Sequence, residues 1–257
     1  MKNTLSSLLL LISFSLFAQV EKLDVTYSSK LILAEDTDLS SIISSGGDYA
    51  GNPEIKKMII QKLTEPVNFK LIIQNNLSVY TEIEKVDNTQ KSSGVNIQVI
   101  GSKEQNFKDI DTKQFFKSAN LGNKQITVKD DLKNYNWIVS RDTKTILGYE
   151  AKKAIGEYKN KKIIAWFTTS IPYKTGPADY WGLPGLILEI EEDANLSDKI
   201  EAKKVTRITD VTTINDKKTI EIPKSNKYLS ENEFVTKRDE LIKNMKDMYS
   251  NGVDTGN

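Results

Sequence analysis

If this chain performs chemistry, it does so with carboxylates, lysines, tyrosines or hydroxyls, because its 257 residues include no histidine and no cysteine. That composition removes thiol nucleophiles, disulfide staples, histidine-based acid–base or triad schemes, and metal sites built on Cys or His. Carboxylate oxygens leave a hard-cation site open, but no stretch has the Asp/Asn spacing and central glycine of a helix–loop–helix calcium site, and neither metal nor cofactor is expected. The best-placed carboxylates are Asp179, just ahead of Tyr180-Trp181, and Glu189 and Glu191, which share one face of a predicted strand. A raised-pKa acid beside an ionised partner is what hydrolysis of a glycosidic bond requires. Against that, Glu189 and Glu191 alternate with Leu188 and Ile190, the ordinary pattern of a half-solvated strand, so a solvent-facing role is favoured over a catalytic one. Gly46, Gly47 and Gly51 invite comparison with a phosphate cradle, but no Gly-Lys-Ser/Thr follows them and they read as a loop.

Recognition has better material than catalysis. Trp137, Trp166, Tyr173, Tyr180 and Trp181 are suited to line or gate an apolar cavity under a curved sheet. Tyr180 and Trp181 stand out, since neighbouring side chains on an extended chain point to opposite sides and one layer cannot bury both. Lying between Pro177 and Gly182, they read as an exposed aromatic pair beside a rigid turn. The candidate binding residues are therefore Tyr180, Trp181, Leu183, Pro184, Trp166 and Tyr173. Pro172, Gly176, Pro177, Gly182 and Gly185 hold the turn, with Pro184 fixing φ and Gly185 expected at φ > 0.

The elements that must position these residues are two strands. Residues 163–169 are rich in β-branched and aromatic types. They stop at Ile171-Pro172, because proline offers no N–H to a ladder. A second strand, 186–190, follows the turn directly. The stretches Gly148-Tyr149, Lys152-Lys153-Ala154, Ala165-Trp166-Phe167-Thr168-Thr169, Ile171-Pro172, Gly176-Pro177 and Gly182-Leu183-Pro184-Gly185-Leu186-Ile187 resemble the GLPGLI family of exported Bacteroidetes proteins. The resemblance is good over the central third and holds in outline elsewhere. It implies an exported protein without an established biochemical function. Relatives often carry a cysteine shortly after the Gly-Tyr pair, where Ala151 stands here, so no thiol role transfers to this chain.

The rest of the chain is consistent with export. Met1-Lys2-Asn3 and the apolar residues 5–17 read as a signal peptide cleaved between Ala18 and Gln19. The apolar run is shorter than the roughly 20 residues of a membrane span. Residues 19–257 are then one GLPGLI-type domain, periplasmic or secreted, without a stable transmembrane span. With 36 Lys+Arg against 35 Asp+Glu, no global field draws it to nucleic acid. Strands are expected at 22–33, 69–73, 77–83, 95–99, 125–129, 137–140, 146–155, 199–210 and 217–222, with little signal over 101–124. A helix should run from Asn52-Pro53 to Leu63, packing Ile55, Met58, Ile59 and Leu63 on the sheet. Ser230 and Glu233 open a C-terminal helix near 230–249, followed by a loose polar tail. Closely spaced strands without intervening helices argue a mainly β (α+β) fold: a single strongly curved antiparallel sheet or half-barrel with a few packing helices.

Three functions fit this frame. The first is a non-catalytic binding or carrier module for an apolar small molecule. The second is a structural or assembly partner of an outer-membrane protein system, and the third a carboxylate-based hydrolase. They differ in the cavity each needs: an open apolar pocket, no pocket but an exposed apolar surface, or a cleft of converging carboxylates.

Overall fold

The structure, a computed structural model, describes residues 22–34, 37, 52–84, 104–197, 200–215 and 218–251. The predicted signal peptide, the glycine-containing loop, the strand at 95–99 and the polar tail lie outside the described residues.

One open antiparallel sheet of eleven strands forms the body of the protein: β1 (Lys22–Leu33), β2 (Val67–Gln74), β3 (Leu77–Glu82), β4 (Gln105–Asp109), β5 (Gln114–Leu121), β6 (Lys124–Asp131), β7 (Ile138–Ile146), β8 (Tyr149–Tyr158), β9 (Lys161–Thr168), β10 (Leu186–Ser197) and β11 (Ile200–Ile214). Their order is β6-β5-β4-β3-β2-β1-β11-β10-β9-β8-β7. Strands consecutive in sequence pair with each other except β6 and β7, which form the two edges, and β1 and β11 close the middle by pairing with each other. The sheet therefore has two halves that meet along the first and last strands. A bulge in this pair at Thr26/Tyr27, and another in β10 at Ile187/Glu189, bend the sheet. Its two halves share a core in which Val25, Tyr27, Leu71, Ile73 and Tyr80 of one half meet Ala151, Leu186 and Leu188 of the other. A second core holds Ala154, Ile163, Ala165, Phe167, Ile187 and Ile190, with Tyr135, Tyr180 and Leu183 laid over them.

Several expectations shift here. Residues 101–124 contain β4 and β5, and the alternation there was hidden because a lysine, Lys108, occupies a fully buried position. The strand expected at 146–155 is interrupted at its start by the β7–β8 turn at Leu147-Gly148, with φ of 49° and 80°. Residues 217–222 form no strand where they are described: from Lys218 onward the chain crosses the sheet, and the Ile220 N–H donates to the Gln74 side chain rather than to a ladder.

Helix α1 (Pro53–Thr64) starts as predicted, with the Asn52 side chain accepting from the Glu54 N–H. It does not cover the sheet, however. Ile59 and Leu63 touch Leu33, Leu196 and Ile200 at the sheet's margin, whereas Met58 is 57% exposed. Helix α2 (Glu231–Asn251) has the expected reciprocal cap: Glu233 N–H donates to Ser230 Oγ at 3.2 Å and Ser230 N–H to Glu233 Oε2 at 2.7 Å. Its Phe234 packs on Ala119 and Val128.

The Leu147-Gly148 turn carries a cost, because an L side chain at φ 49° is strained and Leu147 is exposed, with no packing to offset the strain. Leu147→Asn should raise the urea midpoint by an amount corresponding to about 1 kcal/mol; an unchanged or lower midpoint would show that the turn is not under strain.

Candidate functional site

The loop between β9 and β10, residues 169–185, contains most of the predicted binding residues. It is hydrogen-bonded to itself and to the strand it leads into. Gly182 N–H donates to Lys174 O at 3.1 Å, Gly185 N–H to Leu183 O at 2.8 Å, Leu186 N–H to Ile171 O at 2.9 Å, and Ile187 N–H to Thr175 O at 3.0 Å. Two glycines allow this folding for different reasons. Gly182 takes φ +93°, a conformation L side chains rarely adopt. Gly185 does not have the positive φ expected of it. Its reason is contact: a Cβ there would lie 1.9 Å from the Thr168 carbonyl oxygen.

Side-chain hydrogen bonds fasten the loop and the start of β10 to distant parts of the chain. The Lys108 ammonium, fully buried on β4, donates to the carbonyls of Gly176 at 2.6 Å, Ala178 at 2.7 Å and Tyr180 at 3.2 Å. Three donors meet three acceptors on alternate residues, a geometry helped by Ala178 at φ 48°. Ser78 on β3 and Thr175 share a hydroxyl hydrogen bond of 3.1 Å. From β1, the Tyr27 hydroxyl donates to Ile187 O at 2.6 Å. On the other side, Trp137 Nε1 donates to Trp181 O at 2.8 Å and Trp181 Nε1 to Lys133 O at 2.7 Å, so the two indoles clamp the 133–137 segment to the loop.

The charges follow the same logic. Burial lowers Lys108 to about 7, against an opposing pull from Asp179. Burial pushes the Asp179 carboxyl up, but Lys133, then Lys108 and a hydrogen bond with Tyr135, outweigh it and hold the carboxyl below its ordinary value. Tyr180 donates to Glu192 Oε2 at 2.6 Å, and Lys204 reaches Glu192 Oε1 at 3.0 Å; burial raises the Tyr180 hydroxyl well above its usual range.

These contacts correct the picture of an exposed aromatic pair. Tyr180 is 7% exposed and sits in the second core, while Trp181 is half-buried against it. Both pack in the same cluster and both meet the 133–137 segment, Tyr180 with its ring centroid 5.1 Å from that of Tyr135 and Trp181 through its indole N–H on Lys133 O. Leu183 is fully buried; Pro172, Gly182 and Pro184 are the exposed members of the predicted set. Tyr173 and Trp166 are not gathered with Tyr180 and Trp181, since they pack against the first core.

Glu189 is the other departure. It shares a sheet face with Glu191 and Trp166, as the register requires, yet its side chain is 1% exposed. Arg207 and Lys144 bond its two oxygens, Lys144 at 2.5 Å, and Lys144 lies 4.0 Å from the Trp166 ring centroid. Burial raises Glu189, but the bonds from Arg207 and Lys144 outweigh it and lower the carboxyl. Two of the three candidate acids, Asp179 and Glu189, are thus held as carboxylates by cations, the opposite of a general acid's environment. Among the described residues, no group of acidic side chains is placed to hold a metal.

Lys108, Tyr27, Lys133 and Tyr135 were not singled out by sequence. Only Lys108 leaves a trace, as a charge next to Phe107 in a stretch without clear period.

A groove of about 390 Å³ lies at the end of the sheet by Ile32, Leu33, Asp193, Ala202 and Lys203, and a void of about 10 Å³ lies beneath Tyr173 and Thr175.

Residues 155–189 match the sequence profile of a family described as a protein of unknown function (Porph_ging), which is consistent with the GLPGLI-type resemblance. No curated protein matches the chain. Two solved structures of PNGF-II, in space groups C2 and P21, superpose on it with a TM-score of 0.53 each, at 16% and 15% identity, over 86% of this chain. The chain spans about a third of their length, 33% and 34%. At that identity the likeness is one of fold: the open antiparallel sheet recurs as one part of a longer protein.

Proposed function

We propose that this chain is an exported, non-catalytic interaction module of the GLPGLI type that binds a protein partner of the cell envelope through its outer surfaces. One observation carries the reading: the loop expected to surround a ligand is itself the filling of the sheet, three of its carbonyls taken by Lys108 and its aromatics by the two cores. An apolar carrier needs a pocket of roughly 300–1,000 Å³ enclosing its cargo. The groove of that size opens at the sheet's end and is lined by Asp193, Glu201 and Lys203 as well as Ile32 and Leu33. Recurrence of the sheet as a third of a longer chain also suits a module that works beside other parts.

The test is native mass spectrometry of the mature protein from the envelope of its own host, together with cross-linking in intact cells. The expected result is a bare protein mass and one dominant cross-linked envelope protein. A co-purifying lipid or other apolar molecule, with no protein adduct, would replace this reading with the carrier.

A further inference from the structure

An open sheet has two edges, and an unguarded edge invites a second copy of the same chain to pair with it. The β6 edge is occupied from within the chain. Lys129 N–H donates to Leu229 O at 2.9 Å, Leu229 N–H donates to Thr127 O at 3.1 Å, and Phe234 of α2 packs on Val128. The β7 edge has no such cover, since among the described residues β7 pairs with β8 alone. It also carries Ile138, 72% exposed, and its neighbour Val139, 49% exposed, which point to opposite faces of the strand. A backbone edge flanked by exposed β-branched side chains has the makings of edge-to-edge association.

The β7–β8 ladder contains what opposes this. Val139 pairs with Ala154, and Thr143 with Lys152. On β8 the single residue Lys153 separates the two partners, whereas on β7 Ser140, Arg141 and Asp142 all lie between them. The edge strand is therefore longer than its partner at this point and must bulge out of the ladder. The bulge is built rather than loose. Asp142 N–H donates to Ser140 Oγ at 3.1 Å, which closes the turn, and Asp142 Oδ2 lies 3.3 Å from Nζ of Lys153 across the ladder. Arg141 and Asp142 are exposed, so two opposite charges stand on the outer margin at the middle of β7. Beyond the bulge, Lys144 turns its ammonium over the sheet to Glu189 at 2.5 Å, and an inward-pointing charge is itself a feature of protected edges. A strand from another molecule could follow β7 in a straight ladder for Ile138 and Val139 only, which is too short a pairing to hold two molecules together.

We propose that Ser140, Arg141 and Asp142 form an edge guard, a bulge held closed by the Ser140 hydroxyl and by Lys153 that keeps β7 from pairing with β7 of a second copy. The strand shows why a guard is needed. Without Arg141 and Asp142 it would read Ile-Val-Ser-Thr-Lys-Thr-Ile. Antiparallel pairing of two such strands about a two-fold axis at Thr143 sets Ile138 opposite Ile146 and Val139 opposite Thr145 of the other copy, and the same contacts recur beyond the axis. The straightened strand is thus complementary to itself, and the bulge interrupts it at the centre of that pairing. The two edges are closed by different means, β6 by a pairing within the chain and β7 by a break in its ladder. The guard acts on a strand edge, whichever partner the outer surfaces bind.

The test is the mass of the mature chain in solution, by light scattering over a range of concentrations, for wild type and for a variant lacking Arg141 and Asp142. In that variant Ser140 falls opposite Lys153 and the ladder is regular. It should keep the wild-type circular dichroism and associate to about twice the wild-type mass as concentration rises, with new amide-exchange protection on β7. Adding Val139→Lys should return the wild-type mass. A second variant lacks Ser140 and Arg141 instead and keeps Asp142 for its pairing with Lys153; it gives the same regular ladder and decides the matter if the first does not fold. Three results would overturn the proposal: a folded deletion variant that keeps the wild-type mass, association that survives Val139→Lys, or wild-type β7 amides already protected by contact with a second copy.

Discussion

Gly185→Ala should destabilise the fold by about 3 kcal/mol or more, although it adds a single methyl group. The added Cβ would lie 1.9 Å from the Thr168 carbonyl oxygen, 2.7 Å from its carbonyl carbon and 3.1 Å from Thr169 Cα. All three are backbone atoms at the end of β9, so no side chain can swing away. Relief requires moving the start of β10, where Gly185 N–H bonds Leu183 O and Leu186 N–H bonds Ile171 O. Overpacking costs about 1–3 kcal/mol where side chains can adjust, and each displaced hydrogen bond about 1 more. Gly182→Ala is the control. Its φ of +93° makes alanine strained, but its nearest atoms lie 3.8 Å away on the Trp137 ring, so a loss of about 1–2 kcal/mol is expected. Urea denaturation of both variants checks the order. A Gly185→Ala loss below that of Gly182→Ala would show that the loop is free to shift.

Lys108→Met should abolish a pH dependence of stability that the wild type shows. The unfolded lysine keeps its proton up to the ordinary value of 10.5, whereas burial brings the folded group to about 7. Between these values the unfolded chain binds more protons, so stability rises with pH, by about 1.4 kcal/mol per pH unit at most. From about pH 7 to about pH 9 the wild type should gain about 2–3 kcal/mol from this group, and Lys108→Met should show no such gain. The net stability change is a poorer diagnostic. Methionine leaves three buried carbonyls without a donor, at about 1–3 kcal/mol each, but it also removes the cost of burying the ammonium at low pH, and the two oppose. A methionine variant that keeps the wild-type slope would place the titration elsewhere.

Much of this architecture is legible in the sequence because it follows backbone rules. Asn52-Pro53, Ser230 and Glu233 mark helix starts, and Gly182 supplies a positive φ. Failures occur where tertiary contact reverses a local signal. Lys108 looks like a surface charge until three carbonyls from another part of the chain converge on it. Glu189 has the spacing of a solvated residue but lies under Lys144 and Arg207, which the chain supplies from β7 and β11. Tyr180 and Trp181 look exposed because the segment that covers them, 133–137, is short, polar at Lys133 and Asn134, and 43 or more positions away. Gly185 reads in the sequence as a positive-φ glycine, whereas its role is close approach to Thr168, which the order of residues alone does not show.

The loop from β9 to β10 is a structural keystone fastened to both halves of the sheet. Native-state amide exchange of the full chain tests it most directly, at Tyr180, Gly182, Gly185, Leu186 and Ile187, each of whose N–H groups bonds within the loop or across its base. These amides should exchange only with global unfolding, at the same rate as Val25 and Leu71 in the central strands. Exchange through a local opening, orders of magnitude faster than at those strands, would contradict the claim and return the loop to the role of a recognition surface.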